Sequence, residues 1–250
     1  MIIPQPIKPV LFGWGSCSDS KNTNIPHRLK QPKSIESPEK IFASEGCNVI
    51  LENQMAYSWS NNKYSRSSLG RKRGSPKNES TPRKVAMNVP IQNISQSHNH
   101  TLLLTTKEEV FGFGENTDNK LALSKKNVQL PTRINVEDCI DVACGASSSV
   151  FLLKDGSVKV AGLGANRNTR SKNLYSISFP VSMSSIACGS SHTVAISNNG
   201  KCYSFGCPDN GRLGLGSENG ATMISSPRLV DLEVQMKDVV CGSALRSYFQ

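Results

Sequence analysis

The sequence lacks any apolar run near the roughly 18 residues that a membrane-spanning helix needs. Its first stretch, "MIIPQPIKPVLF", is interrupted by three prolines and has no basic opening, so it does not fit a signal peptide. Without such a signal, the eight cysteines are expected to be reduced thiols. We therefore expect an intracellular protein, cytoplasmic or nuclear or both, with no membrane insertion.

The common catalytic signatures are also missing. There is no phosphate-binding P-loop and no His-Glu-x-x-His metal motif, and the glycine-rich run at 211–216 lacks the Lys-Ser/Thr pair that grips a phosphate. Long stretches of helical periodicity are absent, whereas 19 glycines and 13 prolines indicate many turns. The sequence thus predicts an all-β protein that is not an enzyme, with no catalytic residue, cofactor or metal.

What the sequence does contain is an internal repeat. Three segments of 21 residues align without gaps, and partial copies begin near residues 41 and 239. The full copies are "ISQSHNHTLLLTTKEEVFGFG" at 94–114, "VACGASSSVFLLKDGSVKVAG" at 142–162 and "IACGSSHTVAISNNGKCYSFG" at 186–206. Each copy alternates as strand, turn and strand, and Asp155-Gly156 and Asn199-Gly200 predict tight hairpins. Four short strands in every ~44–54 residues are typical of a propeller blade.

The best copy, "ACGSSHTVAISNNGKCYSFG" with the following "NGRLGLG", resembles the RCC1 repeat. The resemblance implies one β-propeller domain over 1–250 with about five recognisable units. The chain opens on the second half of a unit, "VLFGWG", and closes on the first half, "VVCGSALRSYF". Pairing the terminal strands would close the ring and remove its free edges. Seven blades are usual in this family, so either this ring is smaller, or decayed units lie within 16–40 and 60–93, or the chain is incomplete.

Cys188 and His192 lie four residues apart and raise the question of a metal or nucleophile site. A zinc site needs about four converging ligands, whereas the repeat places the equivalent cysteines in different blades. At the position of His192 the other copies carry residues as different as Ser148 and Leu245. The pattern favours packing and turn hydrogen bonds over chemistry.

One segment makes the protein basic. Residues 63–88 hold eight Lys/Arg and one Glu, a balance of 8 − 1 = +7 within a total of +10. Its composition predicts a flexible loop between blades, and its short basic run predicts a nuclear-import or phosphate-contact patch. The candidate residues are Arg71, Lys72, Arg73, Lys77, Arg83 and Lys84. Nucleic acid is a candidate partner of this loop.

Function rests here on the resemblance, because a fold alone does not fix function. It implies a monomeric, non-catalytic interaction module or regulatory subunit with a protein partner. A short RCC1-like relative of similar layout partners a small zinc protein serving diphthamide synthesis and tRNA modification, so a complex of that type is one expectation. The alternatives are a guanine-nucleotide exchange regulator of a small GTPase and a chromatin-associated regulator. The candidate partner-facing loop contains Asp209, Asn210, Gly211 and Arg212.

Overall fold

The computed structural model describes residues 12–16, 22–28, 38–43, 47–60, 69–70, 79–163, 174–216, 223–242 and 246–249. These residues form antiparallel strands, with a short 3₁₀ turn at Asp209–Gly211. No helix in these ranges is long and apolar enough to cross a membrane.

Four antiparallel sheets of four strands follow one another along the chain, and we number them blades 1 to 4. Blade 1 contains β3 (Lys40–Ala43), β4 (Asn48–Glu52), β5 (Met55–Ser60) and β6 (Glu79–Lys84). Blade 2 contains β7 (Ile91–Gln96), β8 (His100–Thr105), β9 (Val110–Glu115) and β10 (Asn127–Ile134). Blade 3 contains β11 (Cys139–Cys144), β12 (Ser148–Leu153), β13 (Val158–Gly162) and β14 (Tyr175–Ile177). Blade 4 contains β15 (Met183–Cys188), β16 (His192–Ser197), β17 (Cys202–Gly206) and β18 (Ile224–Val230).

Two half-blades flank these sheets. β1 (Phe12–Ser16) pairs with β2 (Asn22–Arg28), and β19 (Asp238–Cys241) pairs with β20 (Arg246–Phe249). By the repeat, β19 and β20 are the first two strands of a blade, and β1 and β2 are the last two. The count of about five units is confirmed as four blades and two complementary halves. The ladders among the described residues leave the halves as separate sheets, so ring closure stays a prediction.

The two predicted hairpins are confirmed. β12 pairs with β13 and β16 pairs with β17, each across a four-residue connection. Gly156 has φ 80° and Gly200 has φ 76°, while the preceding Asp155 and Asn199 do not take positive φ. The turn is therefore longer than a two-residue hairpin turn, and glycine alone supplies its left-handed residue.

The core lies between blades and repeats from one junction to the next. The first strands contact their neighbours, so β11 lies between β7 and β15. Ala143 of blade 3 shares a buried cluster with Ile186 of blade 4, and Ala187 of blade 4 shares one with Val239 of β19. In each strand one side chain thus faces the preceding blade and the next faces the following blade.

The predicted loop 63–88 ends earlier than expected, because β6 occupies its last third as the outer strand of blade 1. β6 contains Pro82, and an outer strand tolerates proline because one of its sides has no strand to bond. The described strands that reach into 16–40 and 60–93 are β1, β2, β3, β5, β6 and β7, all of which belong to sheets already counted. No additional blade is found in the described part of those ranges.

Candidate functional site

One repeat position forms a polar clasp between blades at the start of the first strands. Asn93 Nδ2 donates to Asp141 Oδ1 at 2.9 Å, joining blades 2 and 3. Ser185 Oγ donates to Asp238 Oδ1 at 2.6 Å, joining blade 4 to β19. Lys40 stands at the same repeat position in blade 1. We call these five residues the axial clasp.

The charge of Asp141 is affected by its place in the axial clasp. Burial raises the pKa of this carboxyl above its ordinary value, and the negative Asp238 raises it further. The amide of Asn93, the backbone N–H of Val142 and the positive Lys40 act in the opposite direction. The side chain therefore works mainly as a hydrogen-bond acceptor between blades.

His100 is a buried link between blades 2 and 3. Its Nδ1 lies 2.7 Å from Ser97 Oγ, and its Nε2 lies 3.0 Å from Ser149 Oγ in the next blade. Burial, aided by the positive Lys120, lowers its pKa from 6.5 to about 3, so the ring is neutral. The packing and hydrogen-bonding role predicted for this repeat position is confirmed at His100.

Lys120 is buried in the same junction between blades 2 and 3, although lysine is rarely buried in proteins. Its side chain is 1% exposed, and its Nζ donates to Asn99 Oδ1 and to the Ala146 carbonyl, each at 3.2 Å. The Glu115 carboxylate lies 3.5 Å from Nζ. Burial alone would raise the pKa of Glu115, but the hydrogen bond from Thr117 and the Lys120 charge outweigh it and lower that pKa.

The cysteines at the ends of the first strands contact other protein groups, and Cys144 is buried whereas Cys188 is partly buried. Cys144 Sγ donates to the Ser95 carbonyl of the preceding blade at 3.3 Å, and burial raises the pKa of this thiol to about 12. Cys188 Sγ lies 3.5 Å from Thr193 Oγ1, and burial again raises its pKa. A thiol with a raised pKa is a poor nucleophile and metal ligand. Within the described ranges, no group of three or more His, Cys, Asp or Glu could hold a metal ion.

The junction between blades 3 and 4 contains a pocket of about 160 Å³, and His192 is one of its lining residues. Gly189 lies so close to the His192 ring that a Cβ there would approach Cε1 to 2.0 Å. Five residues with hydroxyl side chains dominate the lining, and one histidine, one phenylalanine, one glycine and three aliphatic or thioether residues complete it. The lining residues are Ala146, Ser147, Ser148, Leu163, Ser190, Ser191, His192, Thr193, Phe205, Gly206 and Met223. We call this the hydroxyl pocket.

The predicted partner-facing loop follows Gly206, which lines the hydroxyl pocket, but the residues of the loop are not among the described lining of that pocket. Asp209 and Asn210 are exposed, and Arg212 Nε folds back to donate to the Asp209 carbonyl at 2.7 Å. Cys207 Sγ donates to the Asp209 carboxylate at 3.0 Å, while Ser204 Oγ donates to the Leu213 carbonyl at 2.7 Å. The loop therefore has a fixed backbone and presents the side chains of Asp209 and Asn210 to solvent.

The predicted basic patch is only partly within the described residues. Arg71, Lys72, Arg73 and Lys77 lie outside them. Arg83 and Lys84 are exposed on β6, where they pair in register with Ser58 and Tyr57 of β5. The hydroxyl pocket belongs to blades 3 and 4, so Arg83 and Lys84 are on a different blade from it.

The repeat matches a known family. Two profiles, both described as "Regulator of chromosome condensation (RCC1) repeat", match residues 183–212 in one case and 107–152 and 199–245 in the other. The chain is an RCC1-repeat β-propeller. The matched ranges include both Lys120 and the Asp209–Arg212 loop.

Among curated proteins, the probable E3 ubiquitin-protein ligase HERC4 of Homo sapiens is 25% identical over 209 residues. The match covers 77% of this chain and 19% of HERC4. This RCC1-repeat chain thus spans about a fifth of the length of the first curated relatives that it matches.

Among solved structures, human WBSCR16 aligns with a TM-score of 0.80 at 20% identity, over 92% of this chain and 61% of that one. Prp20p of Saccharomyces cerevisiae aligns with a TM-score of 0.77 at 19% identity, over 94% of this chain and 60% of that one. At these identities the likeness shows the propeller fold. The work on Prp20p describes its binding to Gsp1p and histones.

Sequence reasoning missed three sets of site residues. Lys120 and Arg212 each stand six residues after the last glycine of their repeat units. A basic residue at the same repeat position in two blades could have indicated a structural role for Lys120. The axial clasp was visible as one aligned column of polar residues just before each 21-residue unit. The hydroxyl pocket has no sequence signal beyond the serines of the "ACGASSS" and "ACGSSH" turns.

Proposed function

We propose that this RCC1-repeat propeller is a non-catalytic protein-interaction module or regulatory subunit, and that it binds its partner at the face that carries the hydroxyl pocket and the Asp209–Arg212 loop. The observation that supports this most is how the reactive side chains are used. His100, Cys144 and Lys120 are committed to holding blades together. The polar groups of the 209–212 loop are instead presented at the surface, on a rigid scaffold where binding usually resides.

The loop can be tested directly. We expect the double variant Asp209→Ala/Arg212→Ala to lose most of the partner recovered with the tagged chain from native cells. The matched control is Lys154→Ala/Lys201→Ala, which alters the hairpins at the other end of blades 3 and 4. Equal recovery of partner with both variants would rule out this face as the binding site.

The identity of the co-purified partner separates the finer proposals. A subunit of a diphthamide or tRNA-modification complex would support the scaffold role, and a histone set would support chromatin association through the basic segment. For chromatin, DNA binding should fall steeply with salt and be lost in Arg71→Ala/Lys72→Ala/Arg73→Ala.

A second candidate is a guanine-nucleotide exchange regulator, and the observation that favours it is the shared fold with Prp20p, whose binding to Gsp1p has been described. An exchange factor accelerates nucleotide release from a GTPase without making or breaking a covalent bond. The test is release of a fluorescent guanine nucleotide from the co-purified GTPase, with and without this chain. An unchanged release rate would favour the scaffold role over exchange.

A further inference from the structure

The outer strands of blades 1, 2 and 4 share an irregularity at one repeat position. In blade 4, the paired residues of β18 skip from Ile224 to Arg228. Over the same span β17 advances only from Gly206 to Ser204, so residues 225–227 bulge out of the ladder. The outer strands of blades 1 and 2 skip three residues at the equivalent place. We call these segments the proline bulges, and they are 80–82, 129–131 and 225–227.

Each proline bulge ends in the proline of its strand, which is Pro82, Pro131 or Pro227. Proline has no N–H to give to the ladder, so it suits a bulge on an outer strand. A bulge leaves its extra residues unpaired and redirects their side chains. Each bulge therefore presents a short segment that is outside the ladder, on an edge of the blade.

The middle residue of each bulge stands directly before the proline and differs between blades. It is Thr81 in blade 1, Leu130 in blade 2 and Ser226 in blade 4. Leu130 is 37% exposed, and Ser226 is exposed as well. Exposed and buried residues follow the same order in Val128–Ile134 of β10 as in β18. The residue before the proline thus faces solvent in both of these blades.

Ser226 and Pro227 together form the pair that proline-directed serine/threonine kinases read, because these kinases require proline directly after the acceptor. Such a kinase binds its substrate as an extended segment, and the bulge presents one outside the ladder. Ser225 is also exposed, but the residue after it is a serine. β18 contains no acidic residue, and its one charged side chain is the exposed Arg228. A phosphate dianion on Ser226 therefore meets no like charge along its own strand.

We propose that Ser226 is a phosphorylation site for a proline-directed kinase, on the outer edge of blade 4. The γ-phosphoryl group of ATP passes to Ser226 Oγ, so that a new O–P bond forms and the bond from the γ-phosphorus to the bridging oxygen breaks. ADP leaves, and the hydroxyl proton passes to the catalytic base of the kinase. The modification adds a charge of about −1.5 to −2 at pH 7, which reverses the sign of the charge that Arg228 gives to β18.

This inference goes beyond the proposed interaction function, because the site lies on β18 and not in the Asp209–Arg212 loop. It gives the propeller a surface whose charge can be switched without a change in the packing between blades. The acceptor is exposed, and the cores at the junctions are built from other residues.

The test is phosphorylation of the folded full chain by a purified, active mitogen-activated protein kinase, with the sites identified by mass spectrometry. The chain has three other Ser/Thr-Pro pairs, so the measurement is made in the background Ser37→Ala/Ser75→Ala/Thr81→Ala. In this background we expect a single phosphate, on Ser226. A background chain without phosphate on Ser226 would overturn the proposal.

Three variants examine the recognition pair. Ser226→Ala removes the acceptor and Pro227→Ala removes the residue that the kinase reads, so both should reduce phosphate incorporation to the level without kinase. Ser225→Ala is the matched control, and it should be phosphorylated to the same extent as the background chain. Phosphate on Ser225, or incorporation that survives Pro227→Ala, would contradict recognition by a proline-directed kinase.

Leu130→Ser tests whether the bulge itself presents the acceptor. It places a Ser-Pro pair on the equivalent bulge of blade 2, at a position that is already exposed. We expect the folded chain to gain a second phosphate, at position 130. If Ser226 is modified and position 130 is not, the shared bulge geometry is not what exposes the acceptor.

A synthetic peptide of residues 223–232 separates the sequence pair from the fold. If the kinase modifies the peptide but not the folded chain, β18 holds Ser226 too firmly and the proposal is wrong. The phosphorylated chain should keep its Tm within about 2 °C of the unmodified chain, since the added charge is at the surface. A large fall in Tm would mean that the kinase reaches Ser226 only when blade 4 opens. Because the readout is phosphate and not recovered partner, failure here leaves the interaction function untouched.

Discussion

At the scale of single residues, one repeat position imposes a left-handed backbone wherever it occurs. The residues are Gln54, Glu108, Gly156 and Gly200, with φ of 59°, 62°, 80° and 76°. They lie in the turn between the second and third strands of blades 1 to 4. Residues other than glycine pay an energetic penalty of about 1–2 kcal/mol in this conformation.

This position gives a simple stability prediction. Gln54 is exposed, so Gln54→Gly removes the backbone strain without removing a buried contact. We expect the free energy of unfolding to rise by about 0.5–1 kcal/mol, measured by urea denaturation. Gln54→Ala is the control, and it should give no gain because alanine keeps the strain. A gain of equal size in both variants would contradict the explanation.

His100 predicts how stability responds to acid. Its pKa is lowered from 6.5 to about 3 in the folded protein. Between these two pH values the unfolded chain therefore binds a proton at this residue more readily than the folded protein does. The contribution of neutral His100 to the free energy of unfolding is complete above pH 6.5 and is lost as pH falls towards 3. The loss is about 1.4 kcal/mol per pH unit. His100→Gln should flatten this part of the stability–pH curve. His98→Gln, at an exposed position, should leave the slope unchanged.

At the scale of elements, the outer strands of the blades have an exposed edge and carry residues that discourage pairing with other chains. The outer strands β6, β10 and β18 contain Pro82, Pro131 and Pro227, each followed within two residues by an arginine. Proline removes a backbone donor, and charge discourages pairing with another chain. The exposed edges of the blades are thereby kept from adding strands of neighbouring molecules.

We expect Pro131→Val/Arg133→Val in β10 to promote self-association, since it restores a donor and removes the charge on one edge. Arg133 Nη2 lies 3.4 Å from Glu109 Oε1. The loss of this largely exposed ion pair should lower the free energy of unfolding only slightly. Size-exclusion chromatography with light scattering would detect the oligomers. Thr132→Val keeps both protective residues and should remain monodisperse. A monodisperse double variant would show that β10 needs no such protection.

How far the sequence predicts these elements depends on what each residue contacts. The strands and hairpins follow from local alternation and from turn residues such as Asp155-Gly156, so they could be read directly. The burial of Lys120 could not, because it depends on the angle at which blade 3 packs against blade 2. The hydroxyl pocket was unpredictable for the same reason, since it exists only between two blades. β6 was missed because a basic, proline-containing stretch has the composition of a loop.

At the scale of the whole molecule, the axial clasp links successive blades through one repeat position. Asp141→Asn keeps an oxygen acceptor for Asn93 but removes a charge that burial and Asp238 disfavour. Because the folded pKa of Asp141 is raised, the wild type gains stability from this group as pH falls through that pKa. We expect Asp141→Asn to be at least as stable as the wild type at pH 7 and to lack that gain.

Asp141→Ala tests the contribution of the hydrogen bond between Asn93 and Asp141. Alanine leaves the Asn93 amide without its acceptor, so the free energy of unfolding of Asp141→Ala should lie about 1–2 kcal/mol below that of Asp141→Asn at every pH. Thermal unfolding of the two variants between pH 4 and pH 7 would separate the charge from the hydrogen bond. Equal destabilisation by asparagine and alanine would mean that the Asp141 charge is favourable, contrary to this account.

The hydrogen bonds between blades also set an order of assembly. Those that join Asn93 to Asp141, Gln96 to Cys47 and His100 to Ser149 connect residues 48 or 49 positions apart, and Ser185 to Asp238 spans 53. Each of these four bonds therefore closes a loop of about the same length, with about the same entropic cost. During synthesis, each blade can dock on its predecessor as soon as about fifty more residues have left the ribosome. The propeller can thus be built in sequence from its first blade, by one step repeated along the chain.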